Sequence, residues 1–189
     1  MKKILVLDNY DSFTYNLVHY IEQLVEYEVD VFRNDEIELS EVANYEMIVL
    51  SPGPSLPRDA GILISLIQKF APTKKILGVC LGMQAIAEVY GADLENLNEV
   101  FHGVATTIKV TDRSEILFNN IADTLEVGRY HSWVVSNKNL PDCLKITSID
   151  ENGCIMSLRH KEFDLCGVQF HPESVLTPLG LKIIENWLR

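Results

Sequence analysis

The first ninety or so residues alternate short apolar runs with segments whose apolar residues recur at helical spacing. The predicted strands are "KKILVLD", "EVDVFR", "YEMIVLS" and "KKILGV", and the predicted helices are "FTYNLVHYIEQLVE", "GILISLIQKF" and "MQAIAEVYG". Continuous Ile, Leu and Val runs indicate strands that are buried on both faces. Strands alternating with helices predict a parallel sheet with right-handed crossovers.

From about residue 93 the apolar positions alternate with polar ones, as in antiparallel strands. The segments with this alternation are "GVATTIKVT", "DTLEVGRYHS", "CLKITSID", "GCIMSLRH" and "FDLCGVQF". The terminal "TPLGLKIIENWLR" is predicted to be a helix with Pro178 in its first turn. We therefore expect residues 1–189 to form one α/β domain. Its expected core is a three-layer, open, mostly parallel sheet with helices on both faces and antiparallel strands added in the second half.

Charge and hydropathy exclude several classes of partner. The formal net charge is −11 and no large Lys/Arg cluster is present, so nucleic acid is not an expected partner. No apolar run approaches the roughly 20 residues of a membrane-spanning helix. The start "MKKILVLDNYDS" has too short an apolar run for a secretory signal. We expect a cytoplasmic protein that does not bind membranes.

The stretch "GVCLG" places Cys80 between Gly78 and Gly82 at a predicted strand-to-helix turn. Glycine two residues before and after a nucleophile at such a turn is the pattern of a nucleophile elbow. The N-terminus of the following helix would favour a thiolate over a thiol. The amide of Leu81 could then donate to an oxyanion. The alternative is a buried structural cysteine with coincidental glycines.

A nucleophilic cysteine needs a base and a group that orients the base. His171 follows the apolar run "LCGVQF" and precedes Pro172, so it is expected at the end of a strand, where the elbow also lies. Glu173 could hold the ring tautomer of His171. The other histidines are interpreted as structural or solvent-facing, or as lying near turns: His19, His160, His102 and His131.

The loop "VLSPGPSLPRD" is dense in Pro and Gly, and the amide of Gly53 could be a second donor to the oxyanion. The alternative is an ordinary turn, and the loop lacks the lysine and the glycine spacing of phosphate-binding loops. Neither the histidines nor the cysteines have the spacing of a metal site. Cys143, Cys154 and Cys166 are interpreted as small buried hydrophobic residues.

Several motifs together resemble one known family. The segments "GVCLGMQAIA", "SPGP" and "GVQFHPES" resemble the class I, triad-type glutamine amidotransferases. The segments "LDNYDSFTYNL" and "VGRYHSW" resemble the branch that contains the glutaminase subunits of anthranilate synthase and of aminodeoxychorismate synthase. The resemblance runs essentially from end to end of the chain.

The resemblance implies a function for each matching residue. Cys80 would attack the side-chain amide of glutamine, releasing ammonia and leaving a γ-glutamyl thioester that water hydrolyses to glutamate. His171 would act as base and then acid, oriented by Glu173, and the amides of Gly53 and Leu81 would form the oxyanion hole. The implied glutamine-binding residues are Gly53, Pro54, Ser55, Gln84, Ser132 and Trp133.

The resemblance also implies a partner, because a glutaminase domain fills a chain of this length. The expected partner is a chorismate-using synthase subunit, component I of anthranilate synthase, of aminodeoxychorismate synthase, or of both, which receives the ammonia. The glutaminase itself is expected to need no cofactor, and Mg²⁺ is expected only in the partner. Tyr10, Ser12 and Phe13 are expected near the interface. The alternative is that the acidic and hydroxyl residues of this loop only cap the first helix.

Three residues depart from the pattern of the branch. Ser55 replaces a glycine, Trp133 replaces a leucine, and Val104 replaces a lysine. Two alternative functions stay open at this point: a glutaminase that serves a different acceptor, and a catalytically silent regulatory or binding module on the same fold. A cysteine peptidase is a weaker alternative, because "SPGP" and Gln84 favour a small amide substrate.

Overall fold

The computed structural model describes residues 2–189, which form eleven strands and four α-helices. The strands are β1 (Lys3–Asp8), β2 (Glu28–Arg33), β3 (Met47–Leu50), β4 (Lys75–Val79), β5 (Leu94–Asn96), β6 (Val104–Val110), β7 (Thr124–Arg129), β8 (Trp133–Val135), β9 (Leu144–Asp150), β10 (Ile155–His160) and β11 (Leu165–Val168). The helices are α1 (Thr14–Leu24), α2 (Leu63–Phe70), α3 (Leu81–Val89) and α4 (Gly180–Leu188).

Nine strands form one sheet in the order β2-β1-β3-β4-β11-β10-β9-β6-β7. The strands from β2 to β11 in this order pair in parallel, and the remaining pairings are antiparallel. This topology confirms the predicted parallel sheet with antiparallel strands added in the second half. β5 and β8 form a separate two-stranded ladder that the sequence pattern did not predict, because three-residue strands leave little periodicity to detect.

The alternating residues of β1 divide the core between the two faces of the sheet. Ile4 and Val6 belong to the cluster that includes residues of α1 and α4, whereas Leu5 and Leu7 belong to the cluster that includes residues of α2 and α3. All four side chains are fully buried, and burying one such side chain contributes about 1.5–3 kcal/mol. The helices therefore form the two outer layers of the predicted three-layer arrangement.

The loop between β1 and α1 is held by its own acidic side chains. Asp8 accepts hydrogen bonds from the Asp11 amide (3.2 Å) and the Thr14 hydroxyl (2.8 Å), and Asp11 accepts one from the Phe13 amide (2.7 Å). The amides of Asp11 and Phe13 precede α1, whose N-cap residue Phe13 has no side-chain capping bond, so the capping interpretation is not confirmed. These hydrogen bonds fix the loop beside the carboxyl end of β1.

Two predicted details differ in the structure. α4 begins at Gly180, so Pro178 precedes the helix instead of lying in its first turn. The start of this helix packs directly on the chain at Pro172, because a Cβ on Gly180 would lie 1.7 Å from the Pro172 carbonyl oxygen. β11 pairs antiparallel with β10 but parallel with β4, so it joins the two halves of the sheet.

Glycines allow β4, α3 and β3 to approach one another closely. A Cβ on Gly78 would lie 2.5 Å from the carbonyl carbon of Gly82, and one on Gly82 would lie 2.5 Å from the carbonyl oxygen of Leu50. These neighbours are backbone atoms and cannot rotate away. The turn between Gly78 and Gly82 is therefore held rigidly against the sheet.

We expect Gly82→Ala to lower the free energy of unfolding by about 3 kcal/mol, because the new methyl group overpacks against the backbone of Leu50. Gly91→Ala is the control: its new methyl group meets no atom within 4 Å, so only the positive φ of Gly91 (94°) opposes the side chain, and a loss of about 1 kcal/mol is expected. Urea unfolding measures both. Equal losses would contradict the packing argument.

Candidate active site

Cys80 occupies a strained turn between β4 and α3. Its φ of 52° and ψ of −100° lie outside the regions that L-residues favour. The Cys80 amide donates to the Val168 carbonyl (2.8 Å), and its own carbonyl accepts from the Gln84 amide (3.0 Å). The strand β11 and the helix α3 thus hold the residue in this conformation, with its thiol at the carboxyl end of the parallel strands.

His171 and Glu173 lie at the same end of the sheet, shortly after β11. His171 Nδ1 is 2.6 Å from Glu173 Oε1, and both side chains are buried. The His171 amide donates to the Gly128 carbonyl (3.0 Å), and the Thr177 hydroxyl donates to the His171 carbonyl (2.6 Å). The structure therefore brings the three predicted triad residues together across about ninety residues of sequence.

The electrostatic environment of His171 favours the imidazolium. Burial lowers the pKa of His171, but its interactions with Cys80 and Glu173 outweigh burial and hold the pKa well above its ordinary value. The second ring nitrogen, Nε2, is buried and makes no well-aligned hydrogen bond within residues 2–189. It is therefore free to exchange a proton with the neighbouring thiol or with a substrate atom.

Two aromatic rings cover His171. The ring centroid of Tyr130 lies 4.8 Å from that of His171, and the ring centroid of Phe13 lies 5.9 Å away in an edge-on arrangement. The Tyr130 hydroxyl is within hydrogen-bonding distance of Ser174 Oγ (3.0 Å). These rings limit the access of water to the imidazole and restrict its orientation.

The predicted oxyanion donors are Gly53, which lines a cavity with Cys80, and Leu81, which follows Cys80 in the chain. Their amides make no hydrogen bond to another group in the described residues, so both remain available to a ligand. Gly53 cannot carry a side chain, because a Cβ there would lie 2.5 Å from the Asn9 carbonyl oxygen and 2.8 Å from Leu81 Cδ2. Glycine thus lets the loop pack directly beside the elbow.

A cavity of about 220 Å³ opens beside Cys80. All six predicted glutamine-binding residues line it: Gly53, Pro54, Ser55, Gln84, Ser132 and Trp133. Gln84 Nε2 donates to the main-chain carbonyl of Trp133 (2.8 Å), so α3 holds the opposite wall of the cavity in place. This volume suits a single amino acid better than a peptide.

Five further residues line this cavity that the sequence did not single out as site residues: Val100, Phe101, His102, Tyr130 and His131. The segment "VGRYHSW" contained two of them, next to the predicted Ser132, but a histidine near a turn has no distinguishing pattern. Burial, followed by the charges of Arg129 and His171, lowers the pKa of His131 to about 3, so its imidazole is neutral.

A buried cation supports the wall that carries His131. Arg129 Nη1 donates to Asp150 (2.7 Å), Arg129 Nε donates to His131 Nε2 (3.1 Å), and the guanidinium lies 3.7 Å from the centroid of the Phe101 ring. Such a buried pair contributes little net stability but tolerates few alternative arrangements. It therefore sets the path of the chain between β7 and β8.

A second cavity, of about 390 Å³, is lined by Cys80 and His171. Its lining includes the three residues expected near a partner, Tyr10, Ser12 and Phe13. Burial raises the pKa of Asp11, which also lines this cavity. Cys80 therefore borders both cavities.

The three departures from the family pattern lie in different places. Trp133 forms part of the first cavity wall, whereas Val104 is half-exposed at the start of β6. Ser55 adopts a φ of 68° in the loop beside Cys80, a conformation that favours glycine. Ser55 therefore has a backbone conformation that suits the glycine of the family pattern better than a serine.

Within residues 2–189, no group of three or more His, Cys, Asp or Glu side chains could hold a metal ion. None of the helices in this described part of the chain has the length and hydrophobicity that crossing a bilayer requires.

Residues 5–189 match the family model described as "Glutamine amidotransferase class-I". The chain is 44% identical over 196 residues to "Anthranilate synthase component 2" of Pseudomonas aeruginosa, with 98% of this chain and 94% of that protein covered. It is 44% identical over 187 residues to "Aminodeoxychorismate synthase component 2" of Klebsiella aerogenes, with 98% of each covered.

The fold is also similar to solved structures. A "putative gmp synthase" component from Thermoplasma acidophilum matches with a TM-score of 0.88 at 27% identity, covering 100% of this chain and 92% of that one. The chain spans only 32% of a longer relative, the "Bifunctional protein TrpGD" of Thermotoga maritima, to which it is 44% identical over 191 residues.

We expect Ser55→Gly to raise the free energy of unfolding by about 0.5 kcal/mol. Relief of the left-handed conformation contributes about 1–2 kcal/mol, and the greater freedom of glycine in the unfolded chain offsets part of it. The control is Ser40→Gly, at an exposed serine with a φ of −70°, which should lower stability by about the same amount. Urea unfolding of both variants is the measurement. A loss in both would show that the φ of Ser55 carries no strain.

Proposed function

Because the chain belongs to the class I glutamine amidotransferase family, we propose that it is the glutaminase subunit of a two-component synthase. It hydrolyses L-glutamine to glutamate and ammonia and passes the ammonia to a subunit that uses chorismate. The observation that carries this proposal is the Cys80 thiol at a strained turn, beside the buried His171–Glu173 pair and bordering both cavities.

The first step forms a bond between Cys80 Sγ and the side-chain carbonyl carbon of glutamine. The thiol proton passes to His171 Nε2, and the negative charge that develops on the carbonyl oxygen is stabilised by the amides of Gly53 and Leu81. The imidazolium then protonates the departing nitrogen, the carbon–nitrogen bond breaks, and ammonia leaves. The product on the protein is a γ-glutamyl thioester.

The second step hydrolyses the thioester. His171 takes a proton from water, the hydroxide attacks the thioester carbonyl, and the same two amides stabilise the oxyanion. Glutamate leaves as the thiol of Cys80 is restored. Glu173 keeps Nδ1 of His171 protonated throughout, so that Nε2 is the nitrogen that exchanges protons.

The first cavity holds the substrate in this proposal. The side-chain amide of glutamine points to Cys80, and the α-amino and α-carboxylate groups lie along the Ser132–Trp133 wall that Gln84 supports. Pro54 and Ser55 form the facing wall. The larger Trp133 narrows this space and favours an extended glutamine over bulkier amides.

The second cavity suits the route by which ammonia leaves. Tyr10 is 49% exposed at its rim and Phe13 packs over His171, so a protein that docks here would contact the residues that cover the imidazole. The relatives named above are components of anthranilate and aminodeoxychorismate synthases, which favours component I of such a synthase as the partner. Either acceptor, or both, fits the proposal.

No cofactor takes part in the proposed glutaminase chemistry, and we assign Mg²⁺ only to the synthase partner. A cytoplasmic location is consistent with the four cysteines, all of which are free thiols in the structure: Cys80, Cys143, Cys154 and Cys166. The nucleophile must stay reduced to act, so a reducing compartment suits the function.

We expect Cys80→Ala to lower glutamate release at least about a thousandfold, because no other group can form the thioester. Release by the parent chain should rise strongly when chorismate and a component I protein are added. Ammonium ions supplied in place of glutamine should restore product formation by the Cys80→Ala complex. The measurement is glutamate and aromatic product, with each component I protein tested in turn.

The matched control for the nucleophile is Cys143→Ala, which removes a thiol that borders neither of the two cavities beside Cys80 and should leave activity unchanged. If the parent chain releases no glutamate under any condition, the protein is a silent binding module instead. If release occurs but neither component I protein stimulates it, the chain serves a different acceptor.

We expect Glu173→Gln to move the alkaline limb of the pH profile of kcat/KM to lower pH and to lower kcat at least about tenfold. Glu173 helps to hold the pKa of His171 above its ordinary value, so the parent keeps the imidazolium to higher pH than the variant does. The control is Glu126→Gln, at an exposed position on β7. An unchanged alkaline limb would mean that Glu173 does not set the protonation of His171.

A further inference from the structure

The side chain of Gln169 contacts Cys80 and is fully buried. Its side-chain Nε2 is 3.5 Å from Cys80 Sγ, within the range of a hydrogen bond to sulfur. Its Oε1 accepts a hydrogen bond from Gln84 Nε2 (3.2 Å). The sequence drew attention to His171 and Glu173 in the same segment but offered no reason to single out the glutamine before them.

The orientation of the Gln169 amide follows from a chain of obligatory donors and acceptors. The main-chain carbonyl of Trp133 can only accept, so Gln84 must turn its NH₂ group towards it. That NH₂ group has a second hydrogen, which the Oε1 atom of Gln169 accepts. Gln169 must therefore present its own NH₂ group to Cys80, and the sulfur is the acceptor.

We propose that Gln169 is a further catalytic residue, whose side-chain amide donates a hydrogen bond to Cys80 Sγ and stabilises the thiolate that attacks glutamine. A donor to sulfur stabilises the charged form more than the neutral thiol. The inference rests on the proposed function, because it concerns the nucleophile of that reaction. Gln84 then has a second role, because its hydrogen bond to Gln169 Oε1 holds the Gln169 amide in the donating orientation.

A purely structural role explains the arrangement less well. A buried amide whose donor had no acceptor would destabilise the fold, and Cys80 Sγ is the one acceptor of Gln169 Nε2 among the described residues. The same position filled by an apolar side chain would avoid that cost. The hydrogen bond to Cys80 Sγ thus accounts for an amide at this position.

Other titratable groups also surround the sulfur and its partners. They line the two cavities or contact His171, and they are Asp11, His102, Tyr130, His131, His171 and Glu173. None of them exchanges a hydrogen bond with the Gln169 side chain. These groups therefore affect Cys80 equally in the parent and in a Gln169 variant. A difference in the alkylation of Cys80 between the two proteins then measures the effect of the Gln169 amide.

The test uses Gln169→Met, which keeps the length of the side chain and removes the donor. We expect the rate of alkylation of Cys80 by iodoacetamide at pH 7 to fall about tenfold, and the midpoint of its pH profile to move to higher pH. In the complex with the synthase partner, kcat for glutamate release should fall by a similar factor while KM changes by less than about threefold. Mass spectrometry of the labelled peptide identifies Cys80 as the alkylated residue.

Gln169→Leu is the second variant, because its shorter apolar side chain tests the proposal if the methionine variant does not fold. It also removes the donor, so alkylation at neutral pH should be slower than in the parent. Gln68→Met is the matched control: it makes the same change at an exposed position on α2 and should leave the alkylation profile unchanged.

An alkylation profile and a kcat that are unchanged in folded Gln169 variants would overturn the proposal, even if their thermal stability falls. The proposed function fails separately, when the parent complex releases no glutamate. In that case a shifted alkylation profile would still show that Gln169 stabilises the Cys80 thiolate. The two failures are therefore distinguishable within one set of proteins.

Discussion

The close contact of β4 with α3 is the constraint on which the rest of the site depends. Gly78 and Gly82 bring backbone against backbone, and the short turn between them leaves Cys80 a left-handed φ of 52°. The hydrogen bond from the Cys80 amide to Val168 compensates part of the strain. As a result, the buried thiol lies at the carboxyl end of the parallel strands, where Cys80 borders both cavities.

The proposed nucleophile, Cys80, and its proposed base, His171, depend on the same strand pairing. β11 lies parallel to β4 with Gly167 opposite Gly78, so the residues that follow each strand emerge side by side. His171 then lies within reach of Cys80, and Gln169 contacts the sulfur. A shift of one residue in this register would turn both side chains to the other face of the sheet. The packing of Gly167 against Met83 opposes such a shift.

Buried polar groups give the site a single arrangement. The Glu173–His171 pair, the Arg129–Asp150 pair and the amide chain from Trp133 through Gln84 and Gln169 are each almost completely buried. Breaking any one of them would leave a polar group without a partner in a low-dielectric interior. These contacts connect the Trp133 wall of the first cavity to Cys80, so a change in that wall can alter the surroundings of the sulfur.

The amino-acid sequence by itself determined the alternation of strands and helices, the elbow at Cys80 and the candidate residues near it, because these follow from local periodicity and short motifs. Local patterns carry no information on which distant side chains meet. Only the tertiary structure revealed that Gln169 contacts Cys80, that Gln84 holds both Trp133 and Gln169, and that His131 lines the cavity. These contacts join residues as far as 89 positions apart, and the register of the sheet alone brings such residues within hydrogen-bonding distance.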